Sequence, residues 1–564
     1  MARTVRSRAA FGGVLAAAMA AGLAAMLPPR AMHGPSQLAP GDVRVVYHAH
    51  TRRSDGTGTV EAIAAAARRA GLAVVVTSDH GDGTRVSDPP RYIDGVLVVD
   101  GVEISTWAGH YVALGADPSP YPLGGEPDAV VEDVRRLGGF GVVAHPGSTK
   151  EGLKWRAWDA PFDGLEWLNA DSEWRDRPGD LWRALATYPW RPAETITALL
   201  HRPAFELAEW DRLASRRPIT GLAAHDAHAR LGLRGVGEPY DGWVALEFPA
   251  YEQMFRAFSN VVRLAHALSG DAARDATAVR FALETGRVYT VVTGLASSGR
   301  LEFSARSAGR SATIGESLVP DGAVEFTFDA DSPPSARTSL YCGGRLVADT
   351  TGGRLTWRTS GEAGACRAEV ALSPDPSHVP WIVTNPIYVR AARTNTSPAS
   401  LAEPSLIVPV AGSGNPAVWG AEVSEGATAT ATVSAAPGRP ASVAFQWRLG
   451  DGAEPYAAAR IDAPPDLASF NRVILRGQAD HPMRVWIQLR SPRGDGVRWG
   501  RSVYFDQTPR QVAVPFEAML PLDAANVPRP PMTEVTALLV VVDTVHARPG
   551  SSGILTLDEL WLAR

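Results

Sequence analysis

Short apolar runs alternate with amphipathic helical stretches from Val43 to about Ala296. The strand-like runs are VRVVYHAH (43–50), LAVVVTSDH (72–80), GVLVVDGVEIS (95–105), GHYVALG (109–115), GGFGVVAHPG (138–147), FDGLEWLN (162–169) and PITGLAAHDAH (218–228). Helical stretches between them include TVEAIAAAARRAG (59–71) and EPDAVVEDVRRLGG (126–139), and both end in Gly, as helices often do. This alternation predicts an α/β architecture built on parallel strands.

The pattern changes beyond Gly299, where strand-like runs are separated by turn residues and the helix signal is weak. Residues 300–393 are predicted to form a small β-sandwich. The Pro/Ser/Gly-rich residues 394–418 are interpreted as a linker. Residues 419–564 contain runs such as SVAFQWRL and ALLVVVDTV, which predict a jelly-roll sandwich.

The N-terminus has the pattern of an export signal. Arg3, Arg6 and Arg8 precede an apolar, Ala-rich run from Ala9 to Leu27, and Pro28 follows it. Residues 1–40 are therefore predicted to be a signal peptide or a retained N-terminal membrane anchor, with a buried helix as the alternative. The protein is expected to be exported, that is, periplasmic, secreted or held on the outer side of the cytoplasmic membrane.

Composition sets further bounds. A chain of 564 residues is too long for one core, so two to four domains are expected. The net charge of -5 gives no reason to expect nucleic acid as a partner. Cys342 and Cys366 fall in neighbouring strand-like runs and could pair in an oxidising compartment, but sequence leaves that pairing open.

Metal-competent side chains recur where the strand-like runs end. They are His48, His50, Asp55, His80, Glu103, His110, His145, Asp226 and His228. In parallel β/α folds such side chains meet at one edge of the sheet. The spacings of His48 with His50 and of Asp226 with His228 place each pair on one face of a strand, and His225 on the other face.

The number of these groups indicates more than one ion. Six of the 13 histidines belong to the set, although a single histidine is usually structural. Nine N and O ligands exceed the needs of one zinc, so two or three divalent ions are predicted, with Glu103 as a bridging carboxylate. A bridging carbamylated lysine is disfavoured, because the only lysines, Lys150 and Lys154, lie beyond the His145 run.

These motifs resemble those of the PHP family of metal-dependent phosphoesterases. HAHTRRSDG (48–56) resembles its first motif, SDH its second, the AHP around His145 its third and HDAH (225–228) its fourth. GVEIS and GHYVALG resemble the segments that supply the bridging glutamate and a further histidine. The layout is most similar to the exported CehA/McbA-like metallohydrolases, in which a sequence like Asn385–Arg390 (NPIYVR) closes the module.

The resemblance implies a distorted (β/α)7 barrel over residues 43–299 and a trinuclear cluster of zinc, manganese or iron (Zn, Mn or Fe). It distributes the ligands in three groups: His48, His50, Glu103 and Asp226; Asp55, His80 and His228; and Glu103, His110 and His145. The implied reaction is hydrolysis of a phosphoester or related ester by a hydroxide that the ions activate. Asp226, Glu103 and His145 are the predicted catalytic residues, with Asp226 or a histidine as proton carrier.

A stretch rich in Trp and Arg lies between His145 and Asp226. One interpretation is a substrate wall in which Arg binds a phosphate or carboxylate and Trp stacks on a ring; the alternative is that the tryptophans pack helices. Trp174, Arg175 and Arg177, in the polar segment NADSEWRDRPG, are the predicted substrate contacts.

The order of strands in residues 419–564 resembles galactose-binding-like, carbohydrate-binding domains. Trp447, Trp486, Trp499 and Tyr504 are interpreted either as a sugar-binding face or as core aromatics.

Three functions remain open from sequence. The first is an exported phosphoesterase, and the second is an ester or carbamate hydrolase on the same cluster. The third is a non-catalytic, surface carbohydrate-binding protein with a structural metal site. A structural site needs only four ligands and no open position, so the large ligand set favours an enzyme.

Overall fold

The structure, a computed structural model, describes residues 18–33, 37–175, 178–230, 247–391, 406–411, 419–434, 442–492, 497–522 and 529–564. The chain forms two compact units. The first contains residues 1–81, 86–117 and 134–393, and the second contains residues 82–85, 118–133 and 394–564. Among the described residues, no helix has both the length and the apolar character that crossing a membrane requires.

Most predicted strands and both predicted helices of the first half of the chain are present. The strands are β1 (Asp42–Val46), β2 (Val74–Thr77), β3 (Arg91–Ile93), β4 (Val96–Thr106), β5 (Gly109–Leu114), β6 (Phe140–Val143), β7 (Gly164–Asn169), β8 (Thr220–Ala224), β9 (Ser259–Arg263) and β10 (Val288–Val291). The helices are α1 (Val60–Arg69), α2 (Pro127–Arg136), α3 (Ala170–Arg175), α4 (Leu181–Thr187), α5 (Pro192–Thr197), α6 (Ala204–Ala214), α7 (Tyr251–Ala257) and α8 (Ala272–Glu284), and Pro178–Asp180 form a 3-10 turn.

The strands of the first unit join in one mixed sheet. β1 pairs in parallel with β2, β2 with β4, β6 with β7 and β7 with β8. β4 and β5 pair antiparallel, because they are joined only by the tight turn at Trp107 and Ala108, and β5 also pairs antiparallel with β6. The strict alternation of strand and helix that the sequence pattern suggested therefore breaks at this hairpin.

The ends of β8 and β1 meet, so the sheet curves back on itself. The backbone N–H of His50 donates to the carbonyl of Ala227 at 3.0 Å, and that of His225 donates to the carbonyl of Tyr47 at 3.0 Å. Ala49 and Ala227 form an isolated parallel bridge. These bonds bring the first and last predicted ligand segments side by side.

The sequence explains why these elements form. Val45 and Val46 of β1 and all of β2 are buried, as expected for parallel strands that are covered on both faces. Helix α1 begins after Thr59, whose side chain accepts a hydrogen bond from the N–H of Ala62 at 3.2 Å. It ends before Gly71, which has φ +76°.

The sheet continues into the segment predicted as a small sandwich. Its strands are β11 (Leu301–Ser307), β12 (Arg310–Thr313), β13 (Ser317–Leu318), β14 (Ala323–Ala330), β15 (Arg337–Cys342), β16 (Arg345–Thr351), β17 (Arg354–Ser360), β18 (Gly364–Ala371), β19 (Ile382–Thr384) and β20 (Ile387–Val389). β19 pairs antiparallel with β10, and apolar residues from both segments share one core. Residues 300–391 thus lie in the same compact unit as the ligand-bearing strands.

Cys342 and Cys366 form a disulfide. They lie directly opposite each other on the antiparallel strands β15 and β18, with a Cα–Cα distance of 4.1 Å. The pairing that the sequence left open is present in the structure.

The second unit contains a sandwich of two six-stranded sheets. Its strands are β21 (Ile407–Ala411), β22 (Gly420–Val423), β23 (Thr428–Ser434), β24 (Ser442–Arg448), β25 (Tyr456–Asp462), β26 (Arg472–Ala479), β27 (Met483–Arg490), β28 (Arg498–Phe505), β29 (Arg510–Pro515), β30 (Leu520–Pro521), β31 (Ala537–Asp543) and β32 (Ser552–Ala563), with 3-10 turns at Leu467–Ser469 and Phe516–Ala518. β21 lies within the segment interpreted as a linker and pairs with β32. Residues 406–411 are the part of that segment that the structure describes.

Strand β27 is buried on both faces. Val485 and Ile487 point into the core between the two sheets, yet Arg484 and Trp486, on the opposite face, are also buried. Within the same unit, Arg484 forms a salt bridge with Asp133 at 2.7 Å. A buried guanidinium needs such a partner, so this contact fixes residues 118–133 on the sheet.

Candidate metal centre

The nine predicted ligands converge at one place in the first unit. Six are histidines, His48, His50, His80, His110, His145 and His228, and three are carboxylates, Asp55, Glu103 and Asp226. All nine lie among the described residues, and hydrogen bonds, ion pairs or ring contacts link them into one cluster.

The backbone, more than strand alternation, aims several of these side chains. β1 ends at Val46 and β8 ends at Ala224, so His48, His50, Asp226 and His228 all lie beyond their strands. His48 has φ +65° and Asp226 has φ +47°, which belong to the left-handed region rather than to a strand. The explanation from strand alternation was therefore wrong, although each pair does reach the same cluster.

His110 also reaches the cluster by a route that parallel strands do not provide. It lies at the beginning of β5, whereas Glu103 lies well inside β4. Because β4 and β5 form an antiparallel hairpin, the start of β5 lies beside the later part of β4. The Nδ1 atom of His110 is thereby 2.8 Å from Oε1 of Glu103.

The first group consists of four buried donor atoms: Nε2 of His48, Nε2 of His50, Oε2 of Glu103 and Oδ1 of Asp226. The two Nε2 atoms are 3.0 Å apart. Each lies 3.2 Å from the Glu103 oxygen and 3.2 to 3.3 Å from the Asp226 oxygen. A tetrahedral zinc with bonds of 2.0 to 2.1 Å has ligand-to-ligand edges of about 3.3 Å, so these atoms fit one such ion.

A second group surrounds Asp55. Its Oδ2 lies 3.2 Å from Nε2 of His228 and 3.8 Å from Nε2 of His80. His50 also falls within this group, since its Nδ1 lies 3.4 Å from Oδ1 of Asp55, and its ring stacks on that of His228 with centroids 4.2 Å apart. Asp55, His80 and His228 are the three ligands that the resemblance placed around one ion.

Glu103 connects the groups. Its Oε2 faces His48 and His50, and lies 3.3 Å from Nδ1 of His80. Its Oε1 lies 2.8 Å from Nδ1 of His110 and 2.9 Å from Nε2 of His145. The third set of donors that could surround one ion is His80, Glu103 and His110. His80 thus stands between the second and third groups, whereas the resemblance assigned His145 to the third.

The electrostatics of the cluster favour ionised carboxylates. Burial alone raises the pKa of Glu103, but His48, His110 and His145 outweigh it and hold that pKa well below its usual value. For His50, burial acts in the opposite direction and lowers the pKa. Hydrogen bonds to Asp226 and Glu103 outweigh burial and raise this pKa to about 10. The site therefore presents anionic oxygens beside ring nitrogens, a donor set that suits Zn, Mn or Fe.

Sequence reasoning missed Glu166, a fully buried carboxylate on β7. Its Oε1 lies 2.6 Å from Nδ1 of His48, and its Oε2 accepts the backbone N–H of His145 at 2.7 Å. Asn169 donates through Nδ2 to the same Oε2 at 2.8 Å. A glutamate in the middle of the apolar run FDGLEWLN was the available signal, since a buried charge requires partners.

Asp79, in the SDH motif, was also missed. It is buried and accepts hydrogen bonds from the N–H of Thr51 at 2.7 Å and from the Ser54 hydroxyl at 2.7 Å. The Ser54 hydroxyl in turn lies 3.3 Å from Nδ1 of His50. Asp79 therefore fixes the loop that carries His50 and Asp55.

The predicted substrate contacts have different surroundings. Trp174 is only 7% exposed and packs in an apolar cluster with Phe248. The guanidinium of Arg175 lies 4.5 Å from the centre of the Trp174 ring and is paired with Asp171. Burial lowers the pKa of Arg175, but Asp171, and with it Asp226 and Asp55, raise it. Arg177 lies outside the described residues.

The four aromatic residues considered for sugar binding are not on an exposed surface. Trp447 and Trp499 belong to the core between the sheets, and Trp486 belongs to a smaller buried cluster. Tyr504 is 6% exposed. The interpretation of these four as a sugar-binding face was wrong, because each lies buried within the second unit.

Comparisons with known proteins give structural likenesses only. No protein-family model matches the chain, and no curated protein matches it. One similar solved structure, a two-domain protein from Bacteroides vulgatus containing a predicted PHP-like metal-dependent phosphoesterase, has a TM-score of 0.27 and 14% identity. The match covers 63% of this chain and 99% of the Bacteroides vulgatus chain.

Two further similar structures are of a family 11 carbohydrate-binding module from Clostridium thermocellum. One, from the cellulase Lic26A-Cel5E, has a TM-score of 0.23 and 15% identity, and covers 28% of this chain and 94% of its own. The other, in complex with a mixed-linked tetrasaccharide, has a TM-score of 0.21 and 16% identity, and covers 26% of this chain and 88% of its own. All three TM-scores are low, so the function proposed below rests on the geometry of the site.

Proposed function

We propose that this protein is an exported, metal-dependent hydrolase that cleaves phosphoesters or a related ester at a cluster of two or three divalent ions. The observation that carries the proposal is the buried set of four donor atoms from His48, His50, Glu103 and Asp226. Their separations of 3.0 to 3.3 Å are those of ligands around a single ion.

The remaining donors argue for catalysis rather than for structure alone. A structural zinc site is complete with four ligands, whereas five further residues adjoin this one. Glu103 has one oxygen toward the first group and the other toward His110 and His145, as a bridging carboxylate would have. More than one ion in contact with one carboxylate is typical of sites that hydrolyse phosphoesters.

The ions would supply Lewis acidity and would lower the pKa of water, so that hydroxide is available near neutral pH. The protein supplies the positions. Glu103 and Asp226 hold negative charge at the centre, and His145 places its Nε2 2.9 Å from Glu103. Asp226 accepts a hydrogen bond from Asn169 at Oδ2, at 3.2 Å, which leaves Oδ1 directed to the first group of donors.

The substrate is expected to carry an anionic group. Burial lowers the pKa of Arg175, but Asp171 and, with it, Asp226 and Asp55 of the site raise it, so the guanidinium is expected to carry its charge beside the site. A guanidinium in this position suits a phosphate or carboxylate. Trp174 supports Arg175 through its ring face.

We further assign the chain to the PHP family, with a distorted (β/α)7 barrel and the CehA/McbA-like layout. The pairing of β1, β2, β4, β5, β6, β7 and β8, together with the hydrogen bonds between the ends of β8 and β1, supports this assignment. Export is proposed from the basic and apolar N-terminal sequence. The disulfide between Cys342 and Cys366 agrees with an oxidising compartment.

Metal analysis combined with a small substrate panel tests the proposal. The purified full-length protein would be assayed on an aryl phosphomonoester, a phosphodiester and a carboxyl ester, each with and without added Mn²⁺ or Zn²⁺. We expect at least two bound ions and metal-dependent turnover of a phosphoester. Preference for the carboxyl ester would favour the ester hydrolase instead.

The same experiment addresses the non-catalytic alternative. Fewer than two bound ions and no turnover on any substrate would contradict the enzyme. Asp226→Asn is the informative variant, since it keeps the size of the side chain and removes the charge. His378→Ala is the matched control, because His378 is exposed and bonded to Asp375, away from the cluster.

A further inference from the structure

Glu166 contacts a specific subset of the cluster. Three of the nine ligands, His48, His145 and Asp226, have a positive φ, at +65°, +31° and +47°. Residues other than glycine seldom adopt this region, so the surroundings must stabilise it here. Each of these three ligands is tied to Glu166, either directly or through one amide.

The first tie orients His48. An ionised carboxylate only accepts hydrogen bonds, so Nδ1 of His48 must donate its hydrogen to Oε1 of Glu166, 2.6 Å away. The tautomer with hydrogen on Nδ1 leaves the lone pair on Nε2. That Nε2 is the atom that faces His50, Glu103 and Asp226.

The second tie holds the backbone at His145. The N–H of His145 donates to Oε2 of Glu166 at 2.7 Å, in a part of the structure that is fully buried. A buried backbone N–H without an acceptor is costly, so this bond stabilises the left-handed conformation there. The conformation directs Nε2 of His145 to Glu103.

The third tie runs through Asn169. Its Nδ2 group donates one hydrogen bond to Oε2 of Glu166 at 2.8 Å and another to Oδ2 of Asp226 at 3.2 Å. Because Oδ2 is held in this way, Oδ1 of Asp226 is left for the first group of donors. One carboxylate thus joins ligand segments that follow β1, β6 and β8.

We propose that Glu166 is the positioning residue of the metal centre, which sets the tautomer of His48 and holds His145 and Asp226 in ligating conformations. The inference rests on the metal site of the proposed function. It predicts that metal affinity depends on both oxygens of Glu166, although neither lies in a group of donors that could surround an ion.

Glu166→Gln is the decisive variant, because glutamine has one acceptor oxygen and one amide donor. If the amide faces His48, Nδ1 must accept, the hydrogen moves to Nε2, and the ring can no longer bind an ion. If the amide faces the other way, it meets the N–H of His145 and the amide of Asn169, both donors. Either orientation disrupts a ligand without changing the size of the side chain.

The measurement is the affinity of the metal-free full-length protein for Zn²⁺ and Mn²⁺, determined by competition with a chromophoric chelator. We expect affinity to fall about 10-fold to 100-fold in Glu166→Gln. Glu369→Gln is the matched control, since Glu369 is another buried carboxylate of the same unit and is bonded to Arg202, away from the cluster. Wild-type affinity in Glu166→Gln, or an equal loss in Glu369→Gln, would overturn the proposal.

A second variant tests the proposal if Glu166→Gln does not fold. Asn169→Leu has a similar volume, adds no charge and cannot donate to Glu166 and Asp226, although the N–H of Ser172 loses its acceptor. We expect it to bind metal more weakly while its metal-free melting temperature stays near that of Glu369→Gln. Metal affinity equal to wild type would count against the proposal. A wild-type protein that binds metal but turns over no ester contradicts the proposed function, and the affinity comparison still decides the role of Glu166.

Discussion

The Nε2 atoms of His48 and His50 lie 3.0 Å apart, and both face the same oxygens of Glu103 and Asp226. Two imidazole nitrogens at this distance would compete for one hydrogen, whereas a shared divalent ion would satisfy both lone pairs. The short HxH motif therefore supplies half of the four donor atoms that could hold one ion.

Replacing either histidine should remove metal and activity. In His48→Ala or His50→Ala the first group keeps only three donors, so we expect bound metal to fall by at least one ion per chain and turnover to fall at least 100-fold. Elemental analysis and the phosphoester assay check both numbers. His378→Ala should retain wild-type metal content, and full metal in His48→Ala would show that the site does not begin there.

Arg175→Ala should weaken substrate binding more than it weakens metal binding. A hydrogen bond to a charged group contributes about 1.5 to 3 kcal/mol, so KM for an anionic ester should rise about 10-fold to 100-fold. Metal content should not change, because Arg175 is bonded to Asp171 and to none of the nine ligands among its described contacts. Unchanged KM and kcat would exclude Arg175 from substrate binding.

The Cys342–Cys366 disulfide should stabilise the first unit. The cysteines are 24 residues apart in sequence, and closing a loop of that size stabilises a protein by about 3 kcal/mol. Thiol titration of the unfolded, unreduced protein should find no free thiol. One free thiol or more in the unreduced wild-type protein would contradict the pairing. The double variant Cys342→Ala/Cys366→Ala should have a lower melting temperature than the wild type.

The stability of the second unit should decrease in acid because of His546. Burial and the nearby charge of Arg484 lower the pKa of His546 to about 3, and neither ring nitrogen has a hydrogen-bond partner among the described residues. The unfolded chain takes up a proton near pH 6.5 and the folded unit does not. Stability should thus fall as the pH drops from about 6.5 to 3, by about 1.4 kcal/mol per pH unit.

His546→Leu provides the check on this pH dependence. Leucine has a similar volume and does not titrate, so its curve of unfolding midpoint against pH should be flatter than that of the wild type between pH 4 and 6.5. At pH 7.5 the variant should be at least as stable, because it removes two buried polar atoms without partners. Parallel curves for the two proteins would rule out His546 as the source.

Much of the site follows from local sequence, and much of its geometry does not. Apolar runs followed by histidines and carboxylates predicted which residues would meet, and the structure brings all nine together. The reason given for the HxH pair was wrong, since His48 has left the strand with φ +65°. In that conformation Nδ1 of His48 lies 2.6 Å from Oε1 of Glu166, a residue of β7 that is 118 positions away. Long-range contacts of this kind are invisible to a local pattern.

The fold, too, was predictable from the sequence only in part. The apolar runs predicted β1, β2 and β4, since burial on both faces leaves a clear signal. Strand direction was harder, because a run such as GHYVALG looks the same in a parallel and an antiparallel strand. Burial of Trp486 was likewise not predictable, since β27 is covered on its second face by residues distant in sequence.

The hydrogen bonds between residues 47–50 and residues 225–227 have a consequence for how the protein acquires its metal. The first and last ligands become neighbours only when the intervening strands have been placed, so a nascent chain that has not reached His228 lacks a ligand of the first group or of the second group, or of both. Loop closure over such a distance is slow and entropically costly, and ions that bind only the finished arrangement would stabilise it. Metal loading of the first and second groups would thereby be coupled to completion of the fold.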